Sequence, residues 1–216
     1  MGALQLEKNK KDYTLEEFYA FQDQINTTGL VINDEAINRV EYYNGMIWFM
    51  AGGTVNHSRI SGNLYFEARN LLSGSKCEPF GSDTNLAIDN LRLILHPDLF
   101  IACDGVEKSE FDKNGIANAS VIFEVLSNST EVYDRSGKFR KYKKISSFKE
   151  YILVSQKEAL VESFVRHEEN LWSIHHYEGI EAIMKVHSLN IEIPLALIYK
   201  NVVFDDAAEQ PVSSES

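Results

Sequence analysis

Cysteine is scarce in this sequence. Cys77 and Cys103 are the only two among 216 residues and form no CxxC pair, which excludes a disulfide framework. Both read as small buried thiols. Long apolar runs are missing as well: none approaches the roughly 18 residues of a membrane span, so no membrane partner is expected. Met1 to Lys11 is polar and lacks the apolar core of a secretory signal, which makes the cytoplasm the expected compartment. No P-loop, GxSxG or HExxH motif is present. His167, His175, His176 and His187 lack helical ligand spacing. Neighbours His175 and His176 would face opposite sides of a regular strand, which argues against zinc there. No internal repeat or second-domain boundary is visible.

Positive charge is the remaining shortage. Lysine and arginine number 21 against 32 acidic residues, a net charge of -11, which on its face disfavours a polyanionic partner. The distribution says more than the sum. Six of the 21 basic residues fall between Arg135 and Lys144, a stretch with no acid. One reading is a solvated helix face; the other is phosphate contact, to which its place beside two buried-looking acids points.

At 44% hydrophobic the chain suits one packed domain, placed at residues 13–204. A tail at 1–12 precedes it, and an acidic, Ser-rich tail at 205–216 has the composition of disorder. Thr14-Leu15-Glu16-Glu17 is a capping box and opens a helix to about Ile25. Val40–Tyr43 and Met46–Met50 flank Asn44-Gly45, a strong hairpin signal. His57 to Leu72 carries an apolar stripe at helical spacing. A short strand at Cys77–Phe80 and a hairpin at 85–95 follow, then an apolar strand, Pro97–Ile101, and a polar surface loop at 104–118. Strand 120–126, helix 131–145 and strand 151–154 form a crossover unit, which predicts a parallel pair in a mixed sheet. The end of the domain reads as a hairpin around 168–170, one strand over Ile183–Ile193 and a short helix at 195–199.

Two acids stand out inside apolar strands: Asp98, and Glu124 within Val121–Leu126. A lone carboxylate there is costly to bury unless it is paired or bound to a cation. Asp134, Lys138 and Tyr142 then fall at four-residue steps along one face of the next helix. Two strand acids followed by that lysine suggest a cation site with an ammonium group beside it. Other readings stay open: Asp98 as a cap of its loop, Lys138 as an exposed helix lysine, Glu41 as a cross-hairpin partner, His57 as a packed helix-start residue.

The order and spacing of these pieces resemble the Uma-two restriction endonuclease family, a branch of the PD-(D/E)XK nuclease superfamily. The matching residues run from Thr14 to Tyr199: Tyr13–Phe18, Val40–Gly45, Asn56–Ile60, Pro97-Asp98-Leu99, and Glu124–Ser127 with Ser129, Thr130, Asp134, Lys138 and Tyr142. There are departures. Leu126 holds the position where the superfamily usually has its lysine, Asn128 replaces a usual proline, Ala119-Ser120 replaces Pro-Asp, and Ser146 sits near a usual glycine. The resemblance implies an α/β (α+β) fold with a restriction-endonuclease-like core, a mixed β-sheet flanked by helices, with additional β-hairpins. It implies an endonuclease that hydrolyses DNA phosphodiester bonds with Mg2+, for which Mn2+ can substitute. Asp98, Glu124 and the backbone carbonyl of Val125 would hold the metal, Lys138 would position water or phosphate, and Glu41 and His57 would be accessory. Arg135, Arg140, Lys141 and Lys144 would contact double-stranded DNA, and a homodimer would cut both strands. Competing classes are a catalytically inactive nuclease-fold module that binds nucleic acid or protein, and a carboxylate-pair glycosidase.

Overall fold

The computed structural model describes residues 12–32 and 34–204. The expected tails, through residue 11 and from residue 205, lie outside that range. The capping box forms as the sequence predicts: the Glu17 amide donates to the Thr14 hydroxyl at 3.2 Å, and the Thr14 amide donates to the Glu17 carboxylate at 2.9 Å. Helix α1 (Leu15–Thr28) follows, then strands β1 (Leu30–Ile32), β2 (Glu35–Tyr43) and β3 (Met46–Ala51). The β2–β3 turn takes φ 44° at Asn44 and 88° at Gly45, the positive angles for which Asn-Gly is suited. Helix α2 (Val55–Leu71) buries Ile60, Leu64 and Ala68. Next come β4 (Cys77–Gly81), β5 (Leu86–Ile88), β6 (Leu93–Leu95), β7 (Leu99–Cys103) and β8 (Val121–Leu126).

The stretch expected to be one helix over 131–145 is instead interrupted. Helix α3 (Glu131–Tyr133) runs into a π-helical turn (Asp134–Lys138) and then α4 (Phe139–Tyr142). Gly137 lies in the π turn because a Cβ there would overlap the Tyr133 ring. The Tyr151 hydroxyl donates to the Asp134 carbonyl at 3.0 Å, so this backbone acceptor is satisfied. Strands β9 (Glu150–Ser155), β10 (Leu160–Arg166) and β11 (Trp172–Glu178) complete the main sheet. The expected single strand over 183–193 is a hairpin, β12 (Ile183–Val186) and β13 (Ile191–Pro194), turning at Asn190 with φ 52°. Helix α5 (Leu195–Ile198) closes the described chain.

The main sheet has the order β11-β10-β9-β8-β7-β4 and is mixed: β8 and β9 are parallel and the other neighbours antiparallel. A second sheet, in the order β1-β2-β6-β5 with β3 also on β2, carries the hairpins. Strand alternation divides the core. Leu99, Ile101, Val121, Phe123 and Val125 pack with α2 and α5, whereas Phe100, Ile122, Leu126 and Leu153 pack with Tyr142, Ile145 and Phe148 behind α4. Glu124 has the parity of Ile122 and Leu126, so it projects under the interrupted helix.

Two further expectations are corrected. Cys77 and Cys103 are not free thiols; they pair directly across β4 and β7 and form a disulfide. The 104–118 segment is not simply a surface loop. Asp112 is fully buried, accepting from Asn85 at 2.7 Å and from the Tyr19 hydroxyl, and Ile116 bridges to Leu86.

Candidate active site

Asp98 sits in the bend just before β7, not within the strand as expected. The β7–β8 register ends at Leu99↔Phe123, so Asp98 and Glu124 occupy the next opposed positions. Both are buried in the lining of an open cleft of about 2140 Å³ that runs between the β2–β3 hairpin, the start of α2 and the Ser127–Thr130 turn.

Each carboxylate is held through one oxygen. Asp98 Oδ2 accepts the Val125 amide at 2.8 Å and lies 3.2 Å from His57 Nε2. Glu124 Oε1 accepts the Tyr142 hydroxyl at 2.6 Å and Lys138 Nζ at 3.0 Å. Asp98 Oδ1 and Glu124 Oε2 accept no hydrogen bond among the described residues. Lys138 Nζ also lies 3.2 Å from Asp134 Oδ1, and Asp134 Oδ2 accepts the Thr130 hydroxyl at 2.6 Å. The ion pair to Asp134 lacks hydrogen-bond geometry, which leaves Asp134 Oδ1 a buried acceptor without a donor. Gly53 makes room for this arrangement: a Cβ there would stand 2.9 Å from the His57 ring.

The electrostatics follow from burial. Glu41, Asp98, Glu124 and Asp134 are buried around the single ammonium group of Lys138. Burial pushes the Glu124 carboxyl up to about 8; Lys138 opposes this, and Asp134 and Asp98 add to it. Burial also raises Glu41. For Asp98 burial pulls upward, but the His57 contact, the Val125 amide and Lys138 outweigh it and hold its carboxyl below the usual range. Lys138 is held well above its ordinary value: desolvation opposes the charge, and Glu124, Glu41 and Asp134 overcome it. The directions for Glu124 and Lys138 pull against each other as an ion pair. Lys138 stays charged because the acids Glu124, Glu41 and Asp134 surround it. The group that keeps or gives up a proton is Glu124.

The surplus of hard oxygen donors fits a divalent cation. Among the described residues no three His, Cys, Asp or Glu side chains form a ready-made cage. An ion would therefore rest on Asp98, Glu124, backbone oxygen and water, a donor set that suits magnesium, which keeps several waters. Val125 meets the site through its amide, which fixes Asp98.

The accessory acid Glu41 is in the cluster and accepts the His96 amide at 3.5 Å. His96 itself escaped the sequence reading. Its ring lines the cleft, burial lowers it to about 4, and its Nδ1 lies 3.1 Å from the Ser82 carbonyl. The Pro97-Asp98 signature one residue away was the signal that could have found it. The expected DNA-contact residues do not gather at the cleft. Arg135 is paired with Glu131 at 3.0 Å and with Glu162. Lys141 lies 4.7 Å from the centroids of both Tyr43 and Trp48 and donates to the Tyr133 hydroxyl at 2.6 Å, which pins the helix to the hairpin. Arg140 and Lys144 are exposed. The arginine and lysines that do line the cleft are Arg39, Lys138 and Lys157.

This fold has a solved counterpart. A crystal structure titled as a putative nuclease belonging to DUF820 from Anabaena variabilis superposes with a TM-score of 0.58 at 14% identity, covering 79% of this chain and 93% of that one. The two chains share a restriction-endonuclease-like α+β architecture. Residues 15–197 match the Uma2 family, described as "Putative restriction endonuclease", and the chain belongs to that family. Two Synechocystis relatives are uncharacterized proteins. One, slr1290, is 32% identical over 76% of this chain and 85% of its own length; the other, sll1609, is 28% identical over 69% and 84%.

Proposed function

We propose that this protein is a divalent-metal-dependent endonuclease that hydrolyses DNA phosphodiester bonds. The observation that carries the reading is the opposed placement of Asp98 and Glu124 in the cleft lining, each tied through one oxygen with the other left over. Asp98 Oδ1 and Glu124 Oε2 would hold Mg2+, or Mn2+ in its place, with the Val125 carbonyl as a further donor. When bound, the ion supplies stabilisation of charge on the phosphoryl oxygens and acidifies water. The chain's own residues do the rest. His57 and the Val125 amide fix the Asp98 carboxylate, and Tyr142 and Lys138 fix Glu124. Lys138 lends positive charge at the point where a phosphate gains negative charge. Glu41 adds to the field that keeps Lys138 charged.

A cleft lined by more acids than bases repels a polyanion unless cations neutralise it. That balance favours metal before substrate. Double-stranded DNA is the substrate that the family description supports, and a homodimer would place two sites on its two strands. No described helix is long and apolar enough to cross a membrane. The cytoplasm, home of most DNA-directed enzymes, fits this reading, and the Cys77–Cys103 disulfide is the feature at odds with it.

One observation favours a second reading, a catalytically inactive module that binds nucleic acid or protein: the Lys138 ammonium is buried and engaged by Glu124 and Asp134. Nicking of supercoiled plasmid decides between the two. The nuclease reading expects nicking with Mg2+, none in chelator, and none by Asp98→Asn or Glu124→Gln. Absence of metal-dependent nicking by folded wild-type protein supports the inactive module.

A further inference from the structure

We infer a second nucleic-acid-binding surface outside the cleft, on the outer face of α4, that takes single-stranded rather than duplex nucleic acid. It goes beyond the nuclease reading, since it does not use the Asp98–Glu124 site.

Arg140 and Lys141 of α4, with Lys143 and Lys144 in the turn that follows it, form one outward arc: Arg140 and Lys144 are exposed, Lys141 and Lys143 half-buried. Lys138, Ile145, Tyr142 and Phe139 take the opposite arc, which faces the core. The outward arc thus carries only cations, in a chain whose net charge is -11. An aromatic group flanks each end of it. On one side Lys141 sits over Tyr43 and Trp48 of the β2–β3 hairpin, whose rings lie nearly parallel at 14°. On the other, Lys143 lies 4.3 Å from the Phe139 centroid and 5.7 Å from that of Trp172, and Arg166 approaches the Trp172 ring at 5.9 Å. Both tryptophans are only half-buried.

Cations interleaved with partly exposed aromatic rings are what an unpaired strand requires. Phosphates track the cations, and bases that are free of a partner stack on the rings. A duplex offers the same phosphates but keeps its bases stacked internally, so the two tryptophans gain nothing from it. Charge alone would serve either form; the rings at both ends of the arc select the single strand.

The test is binding of a short oligothymidylate to the full chain in chelator, read by tryptophan fluorescence beside the same-length duplex and a polyglutamate control. The expected result is quenching by oligothymidylate, seen in both Trp48→Phe and Trp172→Phe, with at least tenfold weaker binding of the duplex. The Arg140→Glu/Lys144→Glu variant, both sites being exposed, should stay folded by circular dichroism. It should lose tenfold or more in affinity, and the salt slope should fall by roughly 0.7 for each lost contact. Absence of quenching, equal duplex affinity, polyglutamate binding of similar strength, or an unchanged variant would overturn the inference. Repeating the titration with Glu124→Gln separates the two readings. Unimpaired binding there beside lost nicking leaves both standing, and wild type that binds but never nicks leaves only this surface.

Discussion

Replacing Lys138 with methionine tests how the buried charge cluster is balanced. Methionine keeps the length of the stem, so the packing change is small, and the perturbation is the loss of one ammonium group. That group lies 3.0 Å from Glu124 and 3.2 Å from Asp134, with all three side chains at most 5% exposed. Removing one partner from a buried ion pair costs about 3–5 kcal/mol, because the remaining charge has lost both water and counter-charge. For a domain of this size each kcal/mol shifts the midpoint by about 2–4 °C, so Lys138→Met should melt about 6–20 °C below wild type in chelator at about pH 9, where Glu124 is ionised in the wild type. The pH dependence has a definite sign. Glu124 is held above its ordinary value of 4.5, up to about 8, so the folded state binds the extra proton in that window. Stability therefore falls as pH rises from about 4.5 to about 8, and in the variant, with no ammonium to favour the carboxylate, the fall continues to higher pH. Adding Glu124→Gln to Lys138→Met should restore part of the loss, since the unpaired charge is gone. The assay is thermal melting by circular dichroism of the four members of this double-mutant cycle. A Lys138→Met midpoint within about 2 °C of wild type, or a double variant as unstable as the sum of both singles, would refute the balance.

Three further outcomes follow from the same geometry. Binding of Mg2+ or Mn2+ should release protons from Glu124 and tighten as pH rises towards about 8, measured calorimetrically in buffers of different ionisation enthalpy. Gly137→Ala should destabilise by about 1–3 kcal/mol despite alanine's better helix propensity, because the new Cβ overlaps the Tyr133 ring, and chemical denaturation checks this. Replacing Cys77 and Cys103 by serine should lower stability by about 3 kcal/mol, as the chain-entropy effect of a closure with sequence separation 26 suggests, and thiol titration of unfolded wild type should find no free sulfhydryl.

Local signals carried most of the fold. The Thr14 capping box, the Asn44-Gly45 turn and Ile60, Leu64 and Ala68 of the α2 stripe are each decided by neighbours in sequence, and each appears where the pattern puts it; Leu71, the fourth residue expected in that stripe, is exposed instead. The parallel β8–β9 pair was legible from the crossover length. What stayed hidden depends on partners far along the chain. Helical spacing could show Asp134, Lys138 and Tyr142 on one face, but the π turn that seats them is fixed by Tyr133 against Gly137 and by Tyr151 on the Asp134 carbonyl. The Cys77–Cys103 pair follows from the β4–β7 register, which two isolated cysteines cannot reveal. Asn190 gave only a faint turn signal inside an otherwise strand-like run, so the β12–β13 hairpin was read as one strand. The basic run was read correctly as clustered charge. Its distribution between a buried ion pair, an aromatic staple and an open face was beyond reach without the hairpin and β11 in place.

The central claim is that Asp98 and Glu124 together hold the cation, and anomalous diffraction from crystals soaked in manganese tests it most directly. The account predicts one peak in the cleft bound by Asp98 and Glu124, lost in Glu124→Gln, with Lys138 still within reach of Glu124. Well-ordered, fully soaked crystals with no peak there, or with a peak at another site while Asp98 stays on His57, would contradict it.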